Sequence, residues 1–244
     1  MKVVLISGAS RGLGFSLAKK LKDTGMSVAT INREANETNE MSFQCDLESP
    51  SSVVSLTERL LREPSKQYLL ICNAASTNLE LDSTSSIPKH LLCNALSYAY
   101  LAERLAKNGR LTGIVSIEST SIKEQAGKHS LATLGRTLNY FQSKQLGVHL
   151  IESIANCYRL PYLSFMPGAM KTELPYSVLK SSLPKLPLGV VKILTKINYF
   201  FSRSPDSVAE KLLKELEKMK PKESSTSEEL YKDFEADINL IFSC

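Results

Sequence analysis

Ser7-Gly8-Ala9-Ser10-Arg11-Gly12-Leu13-Gly14 follows directly on the apolar run Val3–Ile6 and leads into the spacing Leu13, Leu17, Lys20, Leu21. A buried strand, a glycine turn and an amphipathic helix in that order make the first half of a strand–helix–strand unit. Gly8 permits the sharp turn, Gly12 lets backbone come close to a diphosphate, and Gly14 lets helix and strand pack closely. The helix N-terminus then turns its unpaired N–H groups and the positive end of its dipole toward an anion. The octapeptide predicts dinucleotide binding. The blander reading is a glycine-rich turn that merely closes a βα unit.

The same alternation continues outward. Val28–Ile31, Ser42–Cys45, Tyr68–Cys72, Gly113–Ile117 and Tyr162–Phe165 are short and carry Val, Ile, Leu, Phe and Tyr with few charges, as parallel strands buried on both faces do. Helical patterns lie between them: one from Pro50 to Leu61, opened by Ser49-Pro50, then Pro88–Lys107, Leu134–Asn156 and Pro205–Met219. Right-handed crossovers then predict a single doubly wound, Rossmann-like α/β domain over residues 1–220, with a mainly parallel sheet of six or seven strands and helices on both faces. Prolines from Pro175 to Pro187 break the rhythm, and residues 173–204 read as a lid within that domain. Residues 221–244 read as a flexible joint through Ser227, followed by a helix with Leu230, Phe234, Ile238 and Ile241 on one stripe.

Composition narrows the classes. The 244 residues are 43% hydrophobic and 23% charged, which excludes a disordered chain and fits one sizeable core. Thirty Lys and Arg against 25 Asp and Glu leave +5, too little and too dispersed to argue for nucleic acid. Cys45, Cys72, Cys93, Cys157 and Cys244 form no CxxC pair and suit a reducing compartment. No apolar run reaches the length of a membrane span, and Met1–Ile6 is too short an apolar stretch for a signal peptide, so a cytoplasmic protein is expected.

The spacing Gly-x-x-x-Gly-x-Gly, together with Cys72-Asn73-Ala74-Ala75, Tyr140-Phe141-Gln142-Ser143-Lys144 and Pro167-Gly168, resembles the short-chain dehydrogenase/reductases over about residues 1–220. The resemblance implies a carbonyl reductase and assigns roles by position. Ser7 stands where the family more often has Thr. Asp46, with Leu47, corresponds to the acid beside the adenine ring, its plainer role being a helix-cap partner. Asn73, Ala74 and Ala75 correspond to the Asn-Ala-Gly segment, with Ala75 replacing the Gly. Tyr140 becomes the acid/base, and Lys144, one helical turn on, lowers its pKa while binding the nicotinamide ribose. Ser119, or alternatively Ser121, bonds the substrate carbonyl. Asn94 holds the water of a proton relay, unless it is a buried Asn bonded to its own helix. Pro167, Gly168, Met170 and Thr172 form the turn at the nicotinamide end.

Three features depart from the family's pattern. Ser119 and Tyr140 are 21 positions apart, which inserts a loop over Ile122–Thr133. An alignment without that loop puts Leu131 or Ala132 at the tyrosine position and discards an intact Tyr-x-x-Ser-Lys. Glu118 precedes the serine where a small residue is commoner. The family's last strand is not recognisable, and a helical tail stands in its place.

The stretch Thr30-Ile31-Asn32-Arg33 has no acid to receive a ribose 2′-hydroxyl, whereas Arg33 and Arg11 can pair with a 2′-phosphate. Asn32 and Arg33 are therefore expected at an NADP(H) site. Leu188–Phe201 is a greasy helix with Lys192 and Lys196 in a narrow polar strip. It is expected to border the cleft and favour a small hydrophobic carbonyl substrate, with a carrier-bound 3-oxoacyl chain or weak membrane-surface contact as alternatives. Family relatives pair two long helices into homodimers or homotetramers, and the same is expected of Pro88–Lys107 and Leu134–Asn156. The alternative function is a non-catalytic NADP(H)-binding sensor or scaffold.

Overall fold

The computed structural model describes residues 1–34, 41–119, 139–171, 176–177, 180, 187–219 and 228–243. Its sheet contains β1 (Lys2–Ser7), β2 (Val28–Asn32), β3 (Ser42–Gln44), β4 (Gln67–Cys72), β5 (Leu111–Ile117) and β6 (Tyr162–Phe165). All six are parallel, in the order β3-β2-β1-β4-β5-β6. Every strand read from the sequence is present, and the direction of winding reverses between β1 and β4. Ligands bind at such a switch point, beyond the carboxyl ends of the strands.

Alternate residues of each strand feed two cores. Val3, Leu5, Leu70, Cys72 and Ile114 face the layer of α2 (Pro50–Leu61), α4 (Ser97–Lys107) and α5 (Tyr140–Cys157). Val4, Ile6, Ile71 and Val115 face α1 (Gly12–Asp23) and α7 (Pro205–Leu216), where Leu13 and Leu17 meet Val208 and Leu212. Each such aliphatic side chain contributes about 1.5–3 kcal/mol by leaving water. A short α3 (Lys89–Leu91) and a π-helical segment (Leu92–Leu96) lead into α4.

Local signals set the helix starts. Ser49 accepts from the Ser52 N–H and Ser204 from the Ser207 N–H, each followed by Pro at the first helical position. Two further helices, α6 (Leu188–Phe201) and α8 (Glu228–Ile241), complete the described chain. The stripe of α8 buries Phe234 and Ile238, and Phe242 stacks on Tyr100 of α4 at 4.4 Å between ring centroids. That seats α8 on the surface shared by α4 and α5, the same pair expected to meet a second copy. The loop at 122–133, most of residues 173–186 and the joint at 221–227 lie outside the described residues.

Candidate active site

The nucleotide half lies at the carboxyl ends of β1 and β4. Gly8 and Gly12 both have left-handed backbone, with φ of 65° and 60°. A Cβ at Gly14 would stand 2.3 Å from the Gly8 carbonyl oxygen and 2.6 Å from Asn73 Nδ2. Only glycine fits there. Arg11 occupies the N-cap of α1 and makes no side-chain cap bond. The first turn of α1 therefore keeps donors for an anion.

Side chains from β1, β2 and the residue after β4 pin this turn. Asn32 Oδ1 accepts the Ala9 N–H at 2.8 Å, so its buried amide faces the turn from inside. Ser7 Oγ accepts the Asn73 and Ala74 N–H groups, both at 3.0 Å, and lies 2.6 Å from the Tyr98 hydroxyl. Asn73 Nδ2 donates back to the carbonyls of Ser7 and Gly8 at 2.9 and 3.1 Å. The hydroxyl at position 7 thus holds the β4 loop against the glycine turn, which either Ser or Thr can do. Tyr98, whose hydroxyl donates to the Ala74 carbonyl at 2.9 Å, reads in the sequence only as core. Its polar role follows from tertiary contact.

Around the turn, Ser10, Arg11 and Arg33 are exposed, Ala74 and Ala75 are half-buried, and Leu13 and Leu47 are in the core. Asp46 Oδ1 accepts the Glu48 N–H at 2.9 Å in the turn ahead of α2, whose N-cap is Ser49.

The half around Tyr140 starts from a cap. Asn139 and Gln142 form a reciprocal capping box, which makes Tyr140 the first residue of α5 and puts Lys144 one turn further on the same face. Ser119, just past β5, lies beside the Tyr140 side chain. Tyr140 is 3% exposed, and this burial pushes its pKa up to about 12 against the lowering pull of Ser119. The direction is opposite to the lowering expected from Lys144. Burial also holds Lys144 below its ordinary value, with Cys93, Cys72 and Glu118 acting the other way. Cys72 and Cys93 are themselves raised to about 12 by burial, so they stay neutral thiols. Glu118 receives the Ser164 hydroxyl from β6, which accounts for an acid at this position.

Asn94 sits in the π-helical segment with its amide fully engaged. Oδ1 accepts the Ser76 N–H at 2.8 Å, and Nδ2 donates to the Ser76 carbonyl and to Ser143 Oγ, both at 2.9 Å. Ser143 in turn donates to the Tyr140 carbonyl at 2.8 Å. The side chain thereby ties the loop after β4 to the first turn of α5. Gly147 allows this approach, since a Cβ there would stand 2.0 Å from the Asn94 carbonyl oxygen. Lys144, Asn94, Gly147, Ser116 and Cys72 line a cavity of about 10 Å³, room for one water. Neither Ser143 nor Gly147 is singled out by motif, although Ser143 lies inside Tyr-x-x-Ser-Lys.

Beyond β6, Pro167 is buried and Gly168 is left-handed (φ 75°), while Met170 pairs across to Arg203. Ser121 and Thr172 lie outside the described residues.

The glycine cradle, the uncapped helix start and the donors around them fit the diphosphate of a nicotinamide dinucleotide. An uncharacterized oxidoreductase of Staphylococcus epidermidis is 41% identical over 54 residues, 22% of this chain and 23% of its own length. The chain thus matches under a quarter of the length of its curated relatives. A metagenomic short-chain oxidoreductase solved in complex with NADP shares the fold at a TM-score of 0.54 and 19% identity, over 87% of this chain and 89% of that one. A short chain dehydrogenase/reductase family oxidoreductase from Brucella ovis, with a partially ordered NAD, does so at 0.51 and 18%, over 84% and 95%. The family model described as short chain dehydrogenase matches residues 2–178, running from the first strand past the Tyr140/Lys144 pair. This chain belongs to the short chain dehydrogenase family.

Proposed function

We propose that the protein reduces the carbonyl of a hydrophobic ketone, aldehyde or 3-oxoacyl substrate to an alcohol, using NADPH. The observation that carries this reading is the capping box that starts α5 at Tyr140 and sets Lys144 one helical turn on, with Ser119 beside the phenol. Bound NADPH supplies the hydride. Tyr140 gives its proton to the substrate oxygen, and Ser119 holds that oxygen while the charge develops. Lys144 supports the phenolate left behind, and a water in the adjoining cavity connects it toward the Asn94 backbone. Arg11 and Arg33, both exposed beside the nucleotide half, pair with a 2′-phosphate.

Replacing Tyr140 by Phe should lower NADPH consumption on a panel of hydrophobic ketones and 3-oxoacyl thioesters by about 10³-fold or more. NADPH affinity, read by fluorescence titration, should stay within about threefold. Undiminished turnover in that variant overturns the role of Tyr140. The burial of Tyr140 at 3% exposure favours a second reading, a nucleotide sensor without turnover. Its signature is NADPH binding with no consumption on any substrate of the panel.

A further inference from the structure

Helix α6 (Leu188–Phe201) carries nine apolar or aromatic residues among 14 and turns much of that surface outward. Val191 is buried at 1%, whereas Leu188, Ile193 and Tyr199 are each more than half exposed and Leu194 is 41% exposed. Exposed Val190, Ile193 and Leu194 fall on one side of the helix, and Lys192 and Lys196 flank them on the next. The segment is fastened at its base. Lys171 N–H donates to the Arg203 carbonyl at 2.9 Å and Arg203 N–H to that of Ala169 at 3.0 Å, beside the Pro167–Gly168 turn.

Charge is concentrated in the same part of the sequence. Residues 166–205 hold six cations, Lys171, Lys180, Lys185, Lys192, Lys196 and Arg203, against the single acid Glu173. That excess equals the +5 of the whole chain, so the rest of the protein is neutral in sum. Lys171, Lys180, Lys192, Lys196 and Arg203 are all exposed.

We propose that α6 and its cationic rim are a docking surface for an anionic phospholipid bilayer. Apolar side chains enter the boundary between headgroups and acyl chains, and the lysines meet the lipid charge. A second copy of this chain is a poor occupant, because it would bring cations against cations with no acid between Glu173 and Asp206 to offset them. The helix lies on the bilayer and does not cross it: 14 residues rise about 21 Å, short of the roughly 30 Å hydrocarbon core.

The test is sedimentation of the full chain with vesicles of phosphatidylcholine alone, and with phosphatidylcholine and phosphatidylserine at about three to one. Binding to the anionic vesicles should exceed binding to neutral ones by about tenfold or more and weaken as salt is raised. Lys192→Glu with Lys196→Glu should weaken it by about tenfold, and Ile193→Asp with Leu194→Asp should abolish it. Both double variants should keep the parent melting temperature and NADPH affinity, which shows that neither the fold nor the nucleotide site is the cause. Three results overturn the proposal: no binding to anionic vesicles at low salt, equal binding to both vesicle types, or self-association that Ile193→Asp with Leu194→Asp dissolves. Vesicle binding needs no turnover, so its outcome is independent of the carbonyl reductase reading.

Discussion

Two effects pull on the Tyr140 phenol in opposite directions, and burial exceeds the lowering pull of Ser119, which leaves the group protonated up to about pH 12. As an acid, it is loaded throughout the neutral range. Ketone reduction should therefore be nearly flat between about pH 6 and 9, while alcohol oxidation, which needs the phenolate, should rise by about tenfold per pH unit. Initial rates in both directions check this, and an alkaline limb near neutrality in the reduction direction would contradict it. At Arg33, replacement by Ala should raise the KM for NADPH by about tenfold and leave that for NADH unchanged, if a 2′-phosphate is its partner. Equal changes for the two coenzymes refute that pairing. Gly147→Ala sets a methyl 2.0 Å from the Asn94 carbonyl oxygen, deep between two helices. It should cost about 3 kcal/mol, read by denaturant unfolding, and lower turnover as the two halves of the catalytic set move apart.

Between elements, the departure from regular helix at Leu92–Leu96 matters most. It sits where the Asn94 carbonyl meets Gly147 on α5 and where the Asn94 amide reaches both Ser76 and Ser143. An uninterrupted α-helix reads the same in hydrophobic period, so nothing in Leu92-Cys93-Asn94-Ala95-Leu96 announces it. The C-terminal helix presents the opposite case. Its stripe is plain in Phe234 and Ile238, but the seat on α4 and α5 comes from Tyr100, which stacks on Phe242. Phe242→Ala should cost about 3–4 kcal/mol and lower the melting temperature by several degrees. A shift of under a degree would mean that α8 adds little to the body of the protein.

On the scale of the molecule, the central strands were legible because a parallel strand buried on both faces carries mostly apolar residues and no charge, as Val28–Ile31 and Tyr68–Cys72 do. The glycine turn was legible because left-handed backbone and a 2.3 Å approach leave one residue type that fits. The helical period set Tyr140 and Lys144 on one face, and resemblance to the family's Tyr-x-x-x-Lys together with their place before Pro167-Gly168 made them a pair. Their electrostatics could not be read that way, since burial is a property of everything packed around the pair. Likewise Asp46 and Asn32 are visible as polar residues at strand ends, yet only the fold shows that one bonds Glu48 and the other holds Ala9. Glu118 looked anomalous until β6 brought Ser164 alongside. Short-range pattern, governed by sterics and hydrophobic period, determined the doubly wound architecture and the motif residues from sequence alone. Tertiary structure decided which polar groups are spent on one another, how far the Tyr140 proton is held, and which apolar face is left to water. These depend on contacts between residues distant in the chain, and no local period encodes them.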